Sequence, residues 1–223
     1  MSEPVLKINI ASIVLTGSFN PAIFQPQWFV RQNLLPAEEA EKAEIKLVSP
    51  EFCQFETAGL TIQVVRERFA VFSKPDANPT LVRDLAAGTF FVLEHTPLTA
   101  LGLNRDMHFA MPSEEIWHKV GDTIVPKDIW KKILAGRVGM RSLSLQAEVP
   151  GFPDENQDMT KMTVRVEPSL SEKFGLFIAT NEHHQAPMGS GANYLRERIR
   201  NRWEGAFNYA AEIAEFIISS TTK

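Results

Sequence analysis

Apolar positions fall into short β-type runs punctuated by turn residues, and helical spacing takes over at full length only near the C-terminus. Lys7 to Thr16 places Ile8, Ile10, Ile13 and Val14 before Gly17, which predicts a first strand. Pro21 and Pro26 then set an irregular path into a short helix bearing Trp28, Phe29, Leu34 and Leu35. A charged connector (36–44) leads to two strands, Glu44 to Thr57 and Leu60 to Ser73, joined at Ala58-Gly59. Asp76 to Thr80 supplies entry chemistry for a helix from Leu81 to Leu93, and Thr99 to Met111 reads as the next strand.

Ser113 followed by Glu114 and Glu115 is an N-cap with acids in the first turn, where the helix dipole favours them. That helical region runs to Leu134, with a break at Gly121 or Pro126. Three more strands follow: Arg137 to Val149, Met159 to Glu167, and Phe174 to Asn181. The polar segments 150–158 and 183–192 read as mobile loops. The longest helix spans Asn193 to Ser220, with Leu195, Ile199, Trp203, Ala206, Ala210, Ile213 and Ile217 on one stripe. Strands in consecutive runs imply an α+β fold, mainly antiparallel, with helices on one face. The expectation is one domain, 1–223, made of two similar halves at about 1–112 and 113–223.

The halves are suggested by a pattern that occurs twice. Residues 102–112 read GLNRDMHFAMP and residues 175–187 read GLFIATNEHHQAP. Each runs Gly-Leu, an Asn, an acid and a His two residues apart, then Ala and Pro. Residues two apart on a strand share a face, so Asp106 projects with His108, and Glu182 with His184. If the two strands met, two carboxylates and two imidazoles would converge as a catalytic set. That set could hold a divalent metal such as zinc, manganese or iron, or work as acid–base pairs without one. Polar strand ends meeting solvent account for the same residues without chemistry, and no H-E-x-x-H signature is present.

Composition narrows the classes. With 44% hydrophobic and 22% charged residues the chain can bury a core, and a net charge of −4 disfavours nucleic acid as the partner. No Gly-rich phosphate loop follows a strand, so no nucleotide cofactor is indicated. A single cysteine, Cys53, excludes an internal disulfide and points to the cytoplasm. The apolar run Ile10 to Leu15 has no basic segment before it and reads as a strand, not an export signal; no run is long enough to span a membrane.

The densest basic stretch is YLRERIRNRW, with Arg196, Arg198, Arg200 and Arg202 opening the last helix. Arg196 and Arg200 form one row and Arg198 and Arg202 the next, a candidate binding interface; an exposed face paired to Glu197 and Glu204 is the plainer account.

The Gly102 to His108 strand, the early strand and the long final helix together resemble a group of sporadically distributed prokaryotic α+β proteins of unknown function. The chain departs from that group after Gly-Leu, where Asn104 and Arg105 replace an Arg-Tyr pair. The resemblance implies no catalytic residues, and it suggests a mobile-element or antiviral-defence setting. The reading that follows is a non-enzymatic cytoplasmic protein that binds a protein partner. The alternatives are a metal-assisted hydrolase or nuclease using Asp106, His108, Glu182 and His184, and a saddle-like nucleic-acid-binding domain.

Overall fold

A computed structural model describes residues 3–149 and 160–219, so the expected loop at 150–158 lies outside the described residues. The chain runs β1 (Val5–Gly17), a 3-10 turn (Pro21–Ile23), α1 (Pro26–Arg31), α2 (Ala37–Glu41), β2 (Glu44–Val48), β3 (Phe52–Glu56), β4 (Leu60–Val65), β5 (Arg68–Ser73) and α3 (Thr80–Val92). It continues through β6 (Leu98–Ala110), α4 (Glu114–Ile124), α5 (Asp128–Lys131), β7 (Leu143–Val149), β8 (Thr160–Pro168), β9 (Gly175–Gln185) and α6 (Gly191–Ser219). The α+β class is as expected.

Among the described residues nine strands form one antiparallel sheet in the order β2-β3-β4-β5-β1-β6-β9-β8-β7. Its centre is the pairing of the two longest strands, β1 and β6, from Val5↔Ala110 to Gly17↔Leu98. From each central strand the chain passes through short helices, returns as a meander ending beside that same strand, and closes with a longer helix. The repeated element order therefore starts at β1 and again at β6, before residue 112. The doubled Asn-acid-His pattern falls on β6 and β9, which are neighbours and not equivalent members of that repeat.

Two expected strands are each a pair. Ser49 divides Glu44–Thr57 because its hydroxyl accepts from the Glu51 and Phe52 amides, closing a turn between β2 and β3. Val65 pairs with Arg68, so the charged Arg66-Glu67 step is the turn between β4 and β5. The strand expected from Arg137 begins only at Leu143. His183 to Gln185, expected in a loop, extend β9 because they pair with Gly102 to Ala100 of β6.

The helices cover one face. Ile13, Leu15, Phe55, Ile62, Phe69, Val71, Leu101 and Leu103 point to it and pack with Phe29, Val82, Leu85, Phe90, Leu195 and Ile199 from the helices. A second cluster joins Met107, Val166 and Ile178 of the sheet to Val120 of α4 and Ala210 and Ala214 of α6. The expected α6 stripe is buried at Leu195, Ile199, Trp203, Ala206, Ala210 and Ile217. Alanines fill its later turns and let the helix approach the sheet closely. Ser113 caps α4 as expected, accepting from the Ile116 amide at 3.2 Å.

Phe69 is at the centre of an aromatic group, with ring centroids 5.1 Å from Phe90, 5.6 Å from Phe24 and 6.4 Å from Phe19. All of these rings are buried, so truncation leaves a hole that rigid neighbours refill poorly. Phe69→Ala is expected to lower unfolding free energy by about 3–5 kcal/mol. Urea denaturation checks this, and a change under about 1 kcal/mol would mean the cluster relaxes around the loss.

Candidate functional site

The two acid/His pairs do not meet. In the β6–β9 register Asp106 lies opposite Ala179 and His108 opposite Phe177, whereas Glu182 lies opposite Leu103 and His184 opposite Leu101. Leu101 and Leu103 belong to the helix-covered face, so Glu182 and His184 point into the core. Asp106 and His108 point from the other face. Among the described residues no three His, Cys, Asp or Glu side chains cluster to hold a metal ion. A site built from all four residues does not form.

Each pair is used locally instead. Glu182 accepts from Arg202 on α6 through both oxygens, Nε to Oε1 at 2.8 Å and Nη2 to Oε2 at 2.9 Å. His184 Nε2 reaches the same Oε1 at 2.9 Å. Glu182 and His184 are 1% and 7% exposed, so this is a buried charge network with both carboxylate oxygens satisfied. Burial opposes ionisation of Glu182, but the hydrogen bonds from His184 and Arg202 win and hold its pKa below the usual glutamate range. The network clamps α6 to β9.

On the opposite face, His108 Nδ1 lies 2.8 Å from the Ser169 hydroxyl and its ring sits against Phe177. The Ser169 oxygen also accepts from the Ser171 and Glu172 amides. Its own proton is therefore directed to His108, which is a loop tether and not a free nucleophile. Burial lowers the His108 pKa against the pull of Asp106 and Glu172, and burial raises the Asp106 pKa against Arg165 and His108. Gly102 of the repeated pattern has a packing reason. A Cβ there would come within 2.7 Å of Asn181 Nδ2, the group that bonds Asn104.

The four arginines separate by role. Arg202 is in the clamp, and Arg198 lies over the Tyr194 ring with Nη2 3.3 Å from its hydroxyl. Arg196 and Arg200 instead line a groove of about 620 Å³ between α3 and α6, facing Arg83, Asp84, Phe91 and Val92, with Gln32 and Leu34 at one end. Arg196 stacks at 5.2 Å over Phe91 and bonds Glu197, and its Nε is buried with no hydrogen-bond partner among the described residues. The Arg200 guanidinium makes no hydrogen bond or ion pair among the described residues. Arg83 is held by Asp84 at 2.8 Å and by Glu204 at 3.5 Å. Phe91 is 66% exposed.

Arg83 and Phe91 were not among the sequence candidates. Phe91 lies one residue beyond the buried α3 set Val82, Leu85, Ala86, Thr89 and Phe90, which marks it as off the core stripe. Arg105 is a further buried cation. It donates to Asn9 Oδ1 and the Phe207 carbonyl and stacks at 3.9 Å over the Phe207 ring, with no carboxylate partner among the described residues. The adjoining gap is about 10 Å³, room for one water and no ligand. No helix of the described residues is long and apolar enough to cross a membrane. Compared with known proteins, the chain matches no family model and no curated sequence.

Removing the carboxylate of Glu182 takes two charge-assisted hydrogen bonds from the nearly buried Arg202. Glu182→Ala is expected to cost about 3–5 kcal/mol, more than an Arg202→Met/Glu182→Leu double variant that removes both charges. Because the folded Glu182 pKa lies below the ordinary 4.5, its contribution is present above that value and disappears as pH falls through the folded pKa. Urea titrations across acid pH should show the wild-type losing more stability than Glu182→Gln. Parallel pH profiles would exclude the clamp as the cause.

Proposed function

We propose that this chain is a non-enzymatic binding protein whose partner is a protein, engaged through an acidic segment in the α3/α6 groove. The observation that carries this reading is the groove's chemistry. Its lining has three guanidinium groups against one carboxylate, and Arg196 Nε and Arg200 lack acceptors among the described residues. A buried donor without an acceptor costs about 1–3 kcal/mol, which a docked carboxylate or carbonyl would recover. Arginine forks suit carboxylates, and exposed Phe91 beside Arg196 offers an apolar contact for a neighbouring residue of the same segment.

The groove lies on two packed helices, α3 and α6. Net charge does not oppose this, because recognition depends on the local field and a chain of net −4 can still present a cationic groove. The reading places the protein in the cytoplasm, supported by its single cysteine, buried Cys53, whose thiol burial pushes up to about 11. A thiol so raised is no nucleophile at neutral pH.

The test is an unbiased peptide-display selection on the full chain. Selected sequences should be enriched in Asp and Glu beside an apolar residue, bind more weakly as salt rises, and lose affinity at least about tenfold with Arg200→Glu or Phe91→Ala. Neutral or basic selected peptides, or acidic ones indifferent to both substitutions, would refute the assignment.

A further inference from the structure

The open sheet has two edges, and they are built differently. Strand β2 is short, and its register with β3 is broken by an irregularity between Ile45 and Leu47. It carries Lys46 at mid-strand, paired to Glu44, and Pro50 follows it. A bulge, a lysine and a short strand are the usual ways an edge avoids pairing with another chain.

Strand β7 has none of these. It is seven residues long, and its register with β8 runs unbroken from Leu143↔Val166 to Val149↔Thr160. It contains no lysine, arginine or proline, and its only charge is Glu148. Its outer side faces no other described strand. Leu145, opposite Val164 on the helix-covered face, is nevertheless 58% exposed because no described helix reaches over the edge. The chain entering β7 also exposes Ile129, Trp130, Ile133 and Leu134, at 46–79%. A long, straight, apolar edge of this kind is a pairing surface.

We infer that β7 pairs antiparallel with β7 of a second copy of this chain, joining two sheets edge to edge in a two-fold dimer. The strand's own sequence argues for that occupant. Pairing over its full length centres the axis on Gln146, the middle residue of Leu143–Val149. Leu145 then lies opposite Ala147 of the second copy on one face, and Ser144 lies opposite its Glu148 on the other. Gln146 meets its own counterpart, so amide faces amide. No like charges are opposed. Sliding the axis to Glu148 would set carboxylate against carboxylate and shorten the ladder, so one register is favoured. The backbone donors and acceptors left open on β7 are satisfied, and Leu145 is covered. This surface is separate from the α3/α6 groove, so dimerisation leaves that groove free.

Sedimentation of the full chain over a concentration series decides it. Wild-type should be a dimer of the 25.0 kDa chain. Leu145→Lys should be a monomer with unchanged circular dichroism, since residue 145 is on the exposed edge. Ile45→Lys on β2 should remain a dimer. Amide exchange of β7 should be slow in wild-type and fast in Leu145→Lys. A wild-type monomer at all concentrations, a dimer that survives Leu145→Lys, or one lost only with Ile45→Lys would each overturn the inference.

Discussion

The ion pair between Glu182 and Arg202 sets how the last helix lies on the sheet. A bidentate bond between two nearly buried side chains tolerates little rotation, so it fixes the phase of α6 about its axis. With Arg202 turned to β9, Leu195, Ile199 and Ala206 meet the core, and Arg196 and Arg200 turn toward α3. The cationic groove is therefore a consequence of a buried salt bridge. One arginine of the basic run is used for attachment, and two line the groove.

The second constraint is one-sided burial. A sheet nine strands wide, covered by helices on a single face, needs alternating side chains and a fixed register in every strand. The central β1–β6 pairing meets that demand over both long strands, and the meanders extend it outward to edges of opposite character. At β2 the alternation is interrupted and charged, whereas at β7 it continues to the rim. The α3/α6 groove and the β7 edge occupy different parts of the molecule.

Much of the fold was legible because its longest elements have the clearest periodicity. The α6 stripe, the Ser113 cap and the strands at Val5–Gly17 and Leu98–Ala110 follow directly from residue spacing. Hairpins at Ser49 and at Arg66-Glu67 were missed because neither carries a glycine turn. The convergence of Asp106, His108, Glu182 and His184 failed for a reason of parity. All four positions are even, but β6–β9 partners are always one odd and one even, so even positions on the two strands face opposite ways. Spacing within a strand reveals which residues share a face; only pairing reveals which face the neighbour shares.

The arginine run shows the reverse case. Arg202 is three residues after Ile199 and four before Ala206, squarely on the buried stripe, so its inward role was visible in the spacing. The partners that define the groove, Arg83 and Phe91, come from a helix more than a hundred residues earlier, and only the packing of α3 on α6 joins them. The division of labour along α6 can be observed directly through the arginine Nε–H resonances as a selected acidic peptide is titrated in. The account predicts that the signals of Arg196, Arg200 and Arg83 shift while that of Arg202 stays fixed and exchanges slowly with water. Movement of Arg202, or no movement of Arg196 and Arg200, would contradict it.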